Sequence, residues 1–469
     1  MLGLFVTVFL TLGLWAAVDL KGLASMAVRP AVLNALTVVL IVVALVWVGV
    51  VIASHLSLRH QPNRAQRIGG GILVGVLAFA VAAPLGVAAQ YSHVQAGAIN
   101  MVFKSEKDTK SATRPTLRGN PTAGGQPQQD PWANKPRLNI LLLGGDDGQG
   151  KAREGTGTRT DTVILASIDT KTGDTTMFSL PRNTARMPFP MGSPLRRYYP
   201  SGFTNGDGSN GEYMLNAMYR NVPNTVPPNI LGETDNLGAD VLKISVGEAL
   251  GVNIDYYALI NLKGFQKMIN ALGGITVNVN SYIPIGGNTD RQIRPKEWIS
   301  PGPDKRLDGR NALWFARSRW KSSDYARMDR QRCVINAIIK QANPANVLAR
   351  YEDIAKAGQE IIKTDMPQEV LPLMVVLGMR VKDGNVRSIV FKNDTAGFIS
   401  ANPDFDLIRQ RVKVAIGEAK AKPTNKSAPR PTTASTSSPT RPSTAPTESE
   451  DVESSCAWQA GVAATSQPR

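Results

Sequence analysis

Residues 32–53 run without a single charged side chain and are almost wholly apolar. The hydrocarbon core of a bilayer asks a helix for about 20 such residues, so this stretch constrains everything after it. Residues 68–89 repeat the pattern, and residues 2–18 form a third apolar segment. The sequence therefore predicts a membrane anchor of three transmembrane helices over 1–90. Between the second and third segments lie Arg59, Arg64 and Arg67, against Lys21 and Arg29 between the first and second. The positive-inside rule assigns the more basic loop to the cytoplasm. Everything after about residue 90 then lies outside it. The formal charge of +16 calls for an anionic partner there, such as lipid, phosphate or an acidic wall polymer, and not for nucleic acid.

Residues 91–136, above all 104–136, are rich in Lys, Thr, Gly, Pro and Gln and poor in large apolar side chains. They read as a flexible linker. Residues 419–469 include the tract KPTNKSAPRPTTASTSSPTRPSTAPTESE and read as a disordered Ser/Thr/Pro-rich tail. The folded unit is then 137–418. Of the two cysteines, Cys333 falls in an amphipathic helix pattern and Cys456 in the polar tail, so no disulfide is expected between them. With three histidines in all and no CxxC pair, a zinc or other His-based metal site is not expected either.

Within 137–418, the apolar runs 138-LNILLLG, 162-TVILASID, 175-TTMFSLP, 256-YYALINL, 275-ITVNVN and 388-SIVF read as buried strands. Strands covered on both faces lose the apolar–polar alternation of a half-exposed one. Helical periodicity occupies 236–250, 263–272, 323–341, 344–363, 367–380 and 405–418. Strands alternating with helices predict an α/β domain with a central sheet flanked by helices. Residues 162–169 and 175–180 read as a hairpin, which makes that sheet mixed.

Five charged clusters interrupt this scaffold. LGGDD ends the first strand with Asp146 and Asp147, and TRTD opens the second with Arg159 and Asp161. LPRN closes the third with Arg182 and Asn183, FARSRW carries Arg317 and Arg319, and DYARMDRQR opens a helix. Each alone is ordinary turn chemistry; five together mark a site. If strand geometry already holds at Arg159 and Asp161, both project from one face. Arg317 and Arg319 do the same if extended and diverge if helical. Arg327, Gln331, Val334 and Ile338 fall on one stripe of a helix, polar at its outer end. The competing account of Arg327 and Gln331 is that they snorkel to solvent.

Arginine's planar fork matches phosphate oxygens, and carboxylates hold Mg²⁺ when phosphate oxygens complete its shell. Arginines and aspartates at the ends of several strands therefore suggest a pyrophosphate with a divalent cation. Phosphoryl transfer rests on positioning and charge stabilisation, so it needs no covalent nucleophile from the protein. GGDDGQGK lacks the Walker A spacing, which argues against a nucleotide donor.

Taken in order, NILLLGGD, TRTDTVILASID, SLPRN, LKGFQKMINALGGITVNV, LDGRNALWFARSR and YARMDRQR make the chain resemble the LytR-CpsA-Psr family of cell-envelope enzymes over about 137–418. The resemblance implies transfer of a glycopolymer from a polyprenyl-pyrophosphate carrier to peptidoglycan, with a phosphodiester link formed at the membrane. It implies Mg²⁺ on Asp146 and Asp161, and pyrophosphate on Arg159, Arg182, Arg317 and Arg319. Arg327 and Gln331 of the helical stripe complete the binding set, and Arg159, Asp161, Arg317 and Arg319 form the catalytic one. Asp161 or another site carboxylate takes the proton. Asn183 stands where the family usually has Asp, which removes a charge there. Two rival readings are a tethered regulator that binds lipid-linked polymer without needing paired aspartates, and a lipid pyrophosphatase with water in the acceptor's place.

Overall fold

The computed structural model describes residues 20–57, 64–115, 132, 135–146, 157–207, 210–287, 292–341, 362–393, 397–418 and 449–460. These divide between two units, one of 1–110 with 342–379 and the other of 111–341 with 380–469.

In the first unit a short helix α1 (Leu20–Met26) precedes two long ones, α2 (Pro30–Ser57) and α3 (Arg64–Val102). Both long helices have the length and apolar composition to cross a membrane. The described residues thus hold two candidate spans rather than three, and the span expected over 2–18 lies outside them. α2 is apolar all round, as suits a helix surrounded by lipid and not one half-sunk in a protein core. The two helices pair, with Trp47 Nε1 donating to the Leu77 carbonyl at 3.1 Å, and Gln95 Nε2 of α3 donates to the Ala27 carbonyl in the turn before α2 at 2.5 Å. α3 continues through Pro84 to Val102, so the first part of the expected linker is helical. The unit also holds a short strand, Ile362–Thr364. The helix expected over 344–363 lies mostly outside the described residues, and its last two positions belong to that strand. A further helix, Leu371–Asp383, takes up the pattern expected over 367–380.

The second unit is built on a mixed sheet. Its strands are β1 (Arg137–Asp146), β2 (Arg159–Asp169), β3 (Thr175–Leu180) and β4 (Tyr256–Asn261). Two small ribbons follow, β5 (Ile275–Val279) with β8 (Gly302–Leu307) and β6 (Ile283–Ile285) with β7 (Glu297–Ile299). The strands β9 (Val386–Val390) and β10 (Glu450–Asp451) then return to the main sheet, whose order in this unit is β10-β9-β3-β2-β1-β4. β1 is antiparallel to β2 and parallel to β4; β3 is antiparallel to β2 and parallel to β9. The expected hairpin is thus present.

The strand period of two explains the continuous apolar runs, because successive residues serve two different cores. Leu141, Val163, Leu165 and Phe178 face a layer made by α4 (Leu215–Asn221), α5 (Leu237–Leu250) and α9 (Phe405–Ala415), meeting Met218, Val246 and Val412. Ile164 and Met177 face the other way, toward Ile335 and Ile339 of α8 (Asp324–Gln341). A satellite core joins α6 (Leu262–Ala271), α7 (Gly309–Arg317) and the two ribbons. Gly309 lets α7 start hard against α6, since a Cβ there would fall 2.0 Å from the Gln266 carbonyl oxygen.

One expectation is overturned. Cys333 on α8 and Cys456 form a disulfide, with Cα atoms 5.7 Å apart, across 123 residues of sequence. Residues 449–460 return to the sheet: β10 pairs with β9, and α10 (Val452–Ser455) buries Val452 completely beside Ile164, Met177 and Val386. Asn278 Nδ2 donates to the Cys456 carbonyl at 3.0 Å, and Arg332 pairs with Glu450 at 2.8 Å. Residues 449–460 therefore have regular structure inside the segment expected as a disordered tail. The Ser/Thr/Pro composition around them hid one short stretch that carries an apolar anchor and a cysteine.

Candidate active site

The site begins where β1 and β2 come out of register. Gly144 faces Thr162, but Gly145 faces Thr160, which leaves Asp161 as an extra residue with no partner on β1. Such a bulge re-aims a side chain and frees main-chain groups from the ladder. Arg159 and Asp161 do share a face, for both reach the amide of Asn216. Arg159 Nη2 donates to its Oδ1 at 3.2 Å, and its Nδ2 donates to Asp161 Oδ1 at 2.9 Å. Thr160, between them, is fully buried. Arg159 is held further by Glu212 Oε1 at 2.8 Å and by the Gly211 carbonyl at 2.9 Å.

The freed Asp161 carbonyl accepts from Arg327 Nη2 at 3.1 Å. Arg327 is 3% exposed, so it does not snorkel. It crosses from α8 into the site and also pairs with Asp324 at 3.0 Å. Asp324 gathers two more guanidinium groups, Arg182 at 3.6 Å and Arg319 at 3.7 Å. Arg182, just past the end of β3, bridges back to Asp161 at 3.1 Å. Asp324 opens α8, where the helix dipole favours a negative charge. The second, third and fifth sequence clusters therefore meet around two carboxylates, with Arg319 added from the fourth.

Arg317 ends α7 and lies 3.7 Å from Asp146, stacked over Trp314 at 5.2 Å. Ser318 is extended (ψ 139°), so the helix stops between the two arginines and each meets a different carboxylate. Arg330 holds this corner. Its Nε donates to the Phe315 carbonyl at 2.6 Å and its Nη2 to the Ser318 carbonyl, supplying donors where a helix C-terminus lacks them. Burial pushes the Arg330 guanidinium down to about 10, with Arg327 acting in the same direction. It remains charged at neutral pH. Lysine offers no fork to reach two carbonyls, so Arg330→Lys should leave one bare at about 1–3 kcal/mol, read as a lower thermal midpoint.

Two expected residues stand apart. Gln331 is half-buried on α8, and its side chain makes no hydrogen bond to another described residue. Asn183 donates to Ser400 Oγ at 3.2 Å and serves the turn after β3. Asp147 lies outside the described residues. Sequence reasoning missed Asn216, Glu212 and the role of Asp324. Asp324 stood inside a quoted cluster, whereas Glu212 lies in a short turn and Asn216 in the first turn of the short helix α4, neither within a quoted motif.

Burial alone would raise the Asp161 carboxyl. Arg182, the Asn216 amide and Arg327 outweigh it and hold the group below its ordinary 3.8. A carboxyl depressed in the folded state stabilises it above the unfolded pKa, and that contribution is lost as pH falls through the folded value. Asp161→Asn should therefore flatten part of the acid limb below about pH 4, measured as thermal midpoints between pH 5 and pH 2.

Comparison with known proteins follows this geometry. The sequence model of the LytR_cpsA_psr family matches residues 96–394. The chain is 31% identical over 255 residues to the polyisoprenyl-teichoic acid–peptidoglycan teichoic acid transferase TagU of Oceanobacillus iheyensis, covering 52% of this chain and 63% of that protein. It is 30% identical over 236 residues to TagU of Enterococcus faecalis, covering 50% and 63%. It is 26% identical over 268 residues to biofilm regulatory protein A of Streptococcus mutans, covering 57% and 59%. The matches span about three fifths of the length of these curated relatives. With a family match over more than half its length, the chain belongs to the LytR-CpsA-Psr family.

Proposed function

We propose that this protein transfers a glycopolymer from a polyprenyl-pyrophosphate carrier to peptidoglycan, outside the cytoplasm and at the membrane. The observation that carries the reading is the convergence of Arg159, Arg182, Arg317, Arg319 and Arg327 on Asp146, Asp161, Asp324 and Glu212. Buried or half-buried arginines in excess of their carboxylates suit a multiply charged anion with oxygens on several sides. The named relatives TagU act on polyisoprenyl-teichoic acid and peptidoglycan, which supports the same substrate class here. The Cys333–Cys456 disulfide supports an oxidising compartment, in agreement with the charge asymmetry of the loops. Two apolar helices, α2 and α3, supply a multi-pass anchor.

Among the described residues no three His, Cys, Asp or Glu side chains stand together as a metal site. The hard oxygens of Asp146 and Asp161 fit a cation that takes one or two carboxylates and fills its shell with water and phosphate oxygens, which is Mg²⁺. Bound there, the ion supplies charge neutralisation at the phosphates. In the chemistry we assign, Arg159, Arg182, Arg317 and Arg319 exchange carboxylate partners for the pyrophosphate and hold it in line. A hydroxyl of a peptidoglycan sugar attacks the phosphorus nearest the glycan, while a site carboxylate, ionised as Asp161 is, takes its proton. The bond to the lipid-side phosphate breaks, and polyprenyl phosphate leaves with the electron pair.

The test is to incubate the full chain in detergent with Mg²⁺, a lipid-pyrophosphate glycan and a peptidoglycan acceptor. A phosphodiester-linked product is expected. Free glycan phosphate alone would favour the pyrophosphatase reading, and binding without any product would favour the regulator.

A further inference from the structure

Asn216 touches three of the residues to which the proposed chemistry is assigned. Its side chain donates to Asp161 at 2.9 Å and accepts from Arg159 at 3.2 Å. Its main-chain N–H donates to the Arg182 carbonyl at 3.0 Å. The residue is 5% exposed. A primary amide is suited to this place because it donates to a carboxylate and accepts from a guanidinium at once, adding no charge. Flipping it would set Nδ2 against the Arg159 donors and leave Oδ1 against a carboxylate oxygen, so the network itself fixes which end faces which residue.

The position of the amide is also fixed through the backbone. The Leu215 N–H donates to the Thr184 carbonyl at 2.9 Å, and Met214 forms an isolated bridge with Ala185. The start of α4 is therefore pinned to the loop after β3. Through Asn216 that loop is tied to the bulge of β2 a second time, beside the Arg182–Asp161 pair, and the amide alone brings Arg159 into the same tie.

We infer that Asn216 is a positioning residue, which holds the Arg159 guanidinium and the Asp161 carboxylate at a set separation so that both meet one pyrophosphate and its cation. The inference rests on the phosphotransfer reading above. Asn216 acts through its neighbours and touches no substrate. Without its amide, Arg159 keeps Glu212 and the Gly211 carbonyl, and Asp161 keeps Arg182. The two groups stay in the site but lose their common reference. Small misplacements of this kind cost about 100-fold in rate, and the lost pre-organisation also weakens binding of the anion.

The experiment compares wild type, Asn216→Ala and Asn216→Asp as full chains in detergent. Calorimetry with inorganic pyrophosphate and Mg²⁺ gives affinity and stoichiometry separately, while transfer kinetics and thermal midpoints are measured alongside. Asn216→Ala should bind pyrophosphate about tenfold more weakly at unchanged stoichiometry, with turnover down about 100-fold. Asn216→Asp keeps the acceptor used by Arg159 but opposes Asp161, and should lose at least as much. Wild-type affinity in both variants overturns the inference. So does reduced stoichiometry with wild-type affinity, the signature of a residue that only supports the fold. If wild type binds pyrophosphate but forms no phosphodiester, the transferase reading falls while the affinities still judge Asn216. Wild type that binds no pyrophosphate overturns both.

Discussion

Replacing Arg317 with alanine is expected to abolish polymer transfer and leave the fold intact. The side chain is 39% exposed at the end of α7, where its contacts are Asp146 at 3.7 Å and the face of Trp314. Neither contact supports a core, so the change in stability should stay within about 1 kcal/mol. Catalysis is a different matter, because arginines aimed at a transferring phosphoryl group are worth about 10³-fold or more. Removing this one also takes a positive charge from beside the Asp146 carboxylate, where the incoming anion would sit. Product formation and the thermal midpoint are to be measured on the same preparation. A folded Arg317→Ala protein that transfers at the wild-type rate would remove Arg317 from the mechanism.

The second large effect concerns stability. Cys333→Ser should lower unfolding stability by about 3–5 kcal/mol, because closing a loop of this length removes much of the unfolded chain's freedom. The bond also holds Val452, fully buried against the sheet, so the loss extends beyond chain entropy. Chemical unfolding without reductant reads the difference directly. Adding dithiothreitol should bring the wild type to the level of the variant and leave the variant unchanged. Equal stability of the two proteins under oxidising conditions would show that the segment around Val452 docks without help from the covalent link.

What the sequence made legible follows from how local each signal is. The apolar runs of β1 to β4 and the hairpin are local patterns, and each appears where periodicity places it. The charged clusters were legible because charges at the ends of apolar strands are costly unless paired. Their pairing was not legible. That Arg327 reaches the Asp161 carbonyl across 166 residues depends on a bulge that no periodicity reports. Asn216 and Glu212 were hidden because they sit in a short helix and a short turn, and one uncharged amide or one lone carboxylate there looks the same whether it faces water or a site. The disulfide was hidden for a related reason: composition averages over a window, and the anchor Val452 and Cys456 stand within a few residues of each other in a polar background.

The bulge at Asp161 also changes what counts as a conservative alteration in this protein. Substitutions at Arg159 or Asp161 change one group each, but a one-residue deletion in TRTD would let Gly145 and Asp146 pair without interruption. The ladder would then be more regular, and a strand that slips by one residue turns its side chains to the opposite face. The spacing between the partners of Gly144 and Asp146, Thr162 and Arg159, is therefore inherited information in its own right. A comparison of relatives that tallies identities but closes gaps at this point would discard it, and a library restricted to substitutions would never sample it.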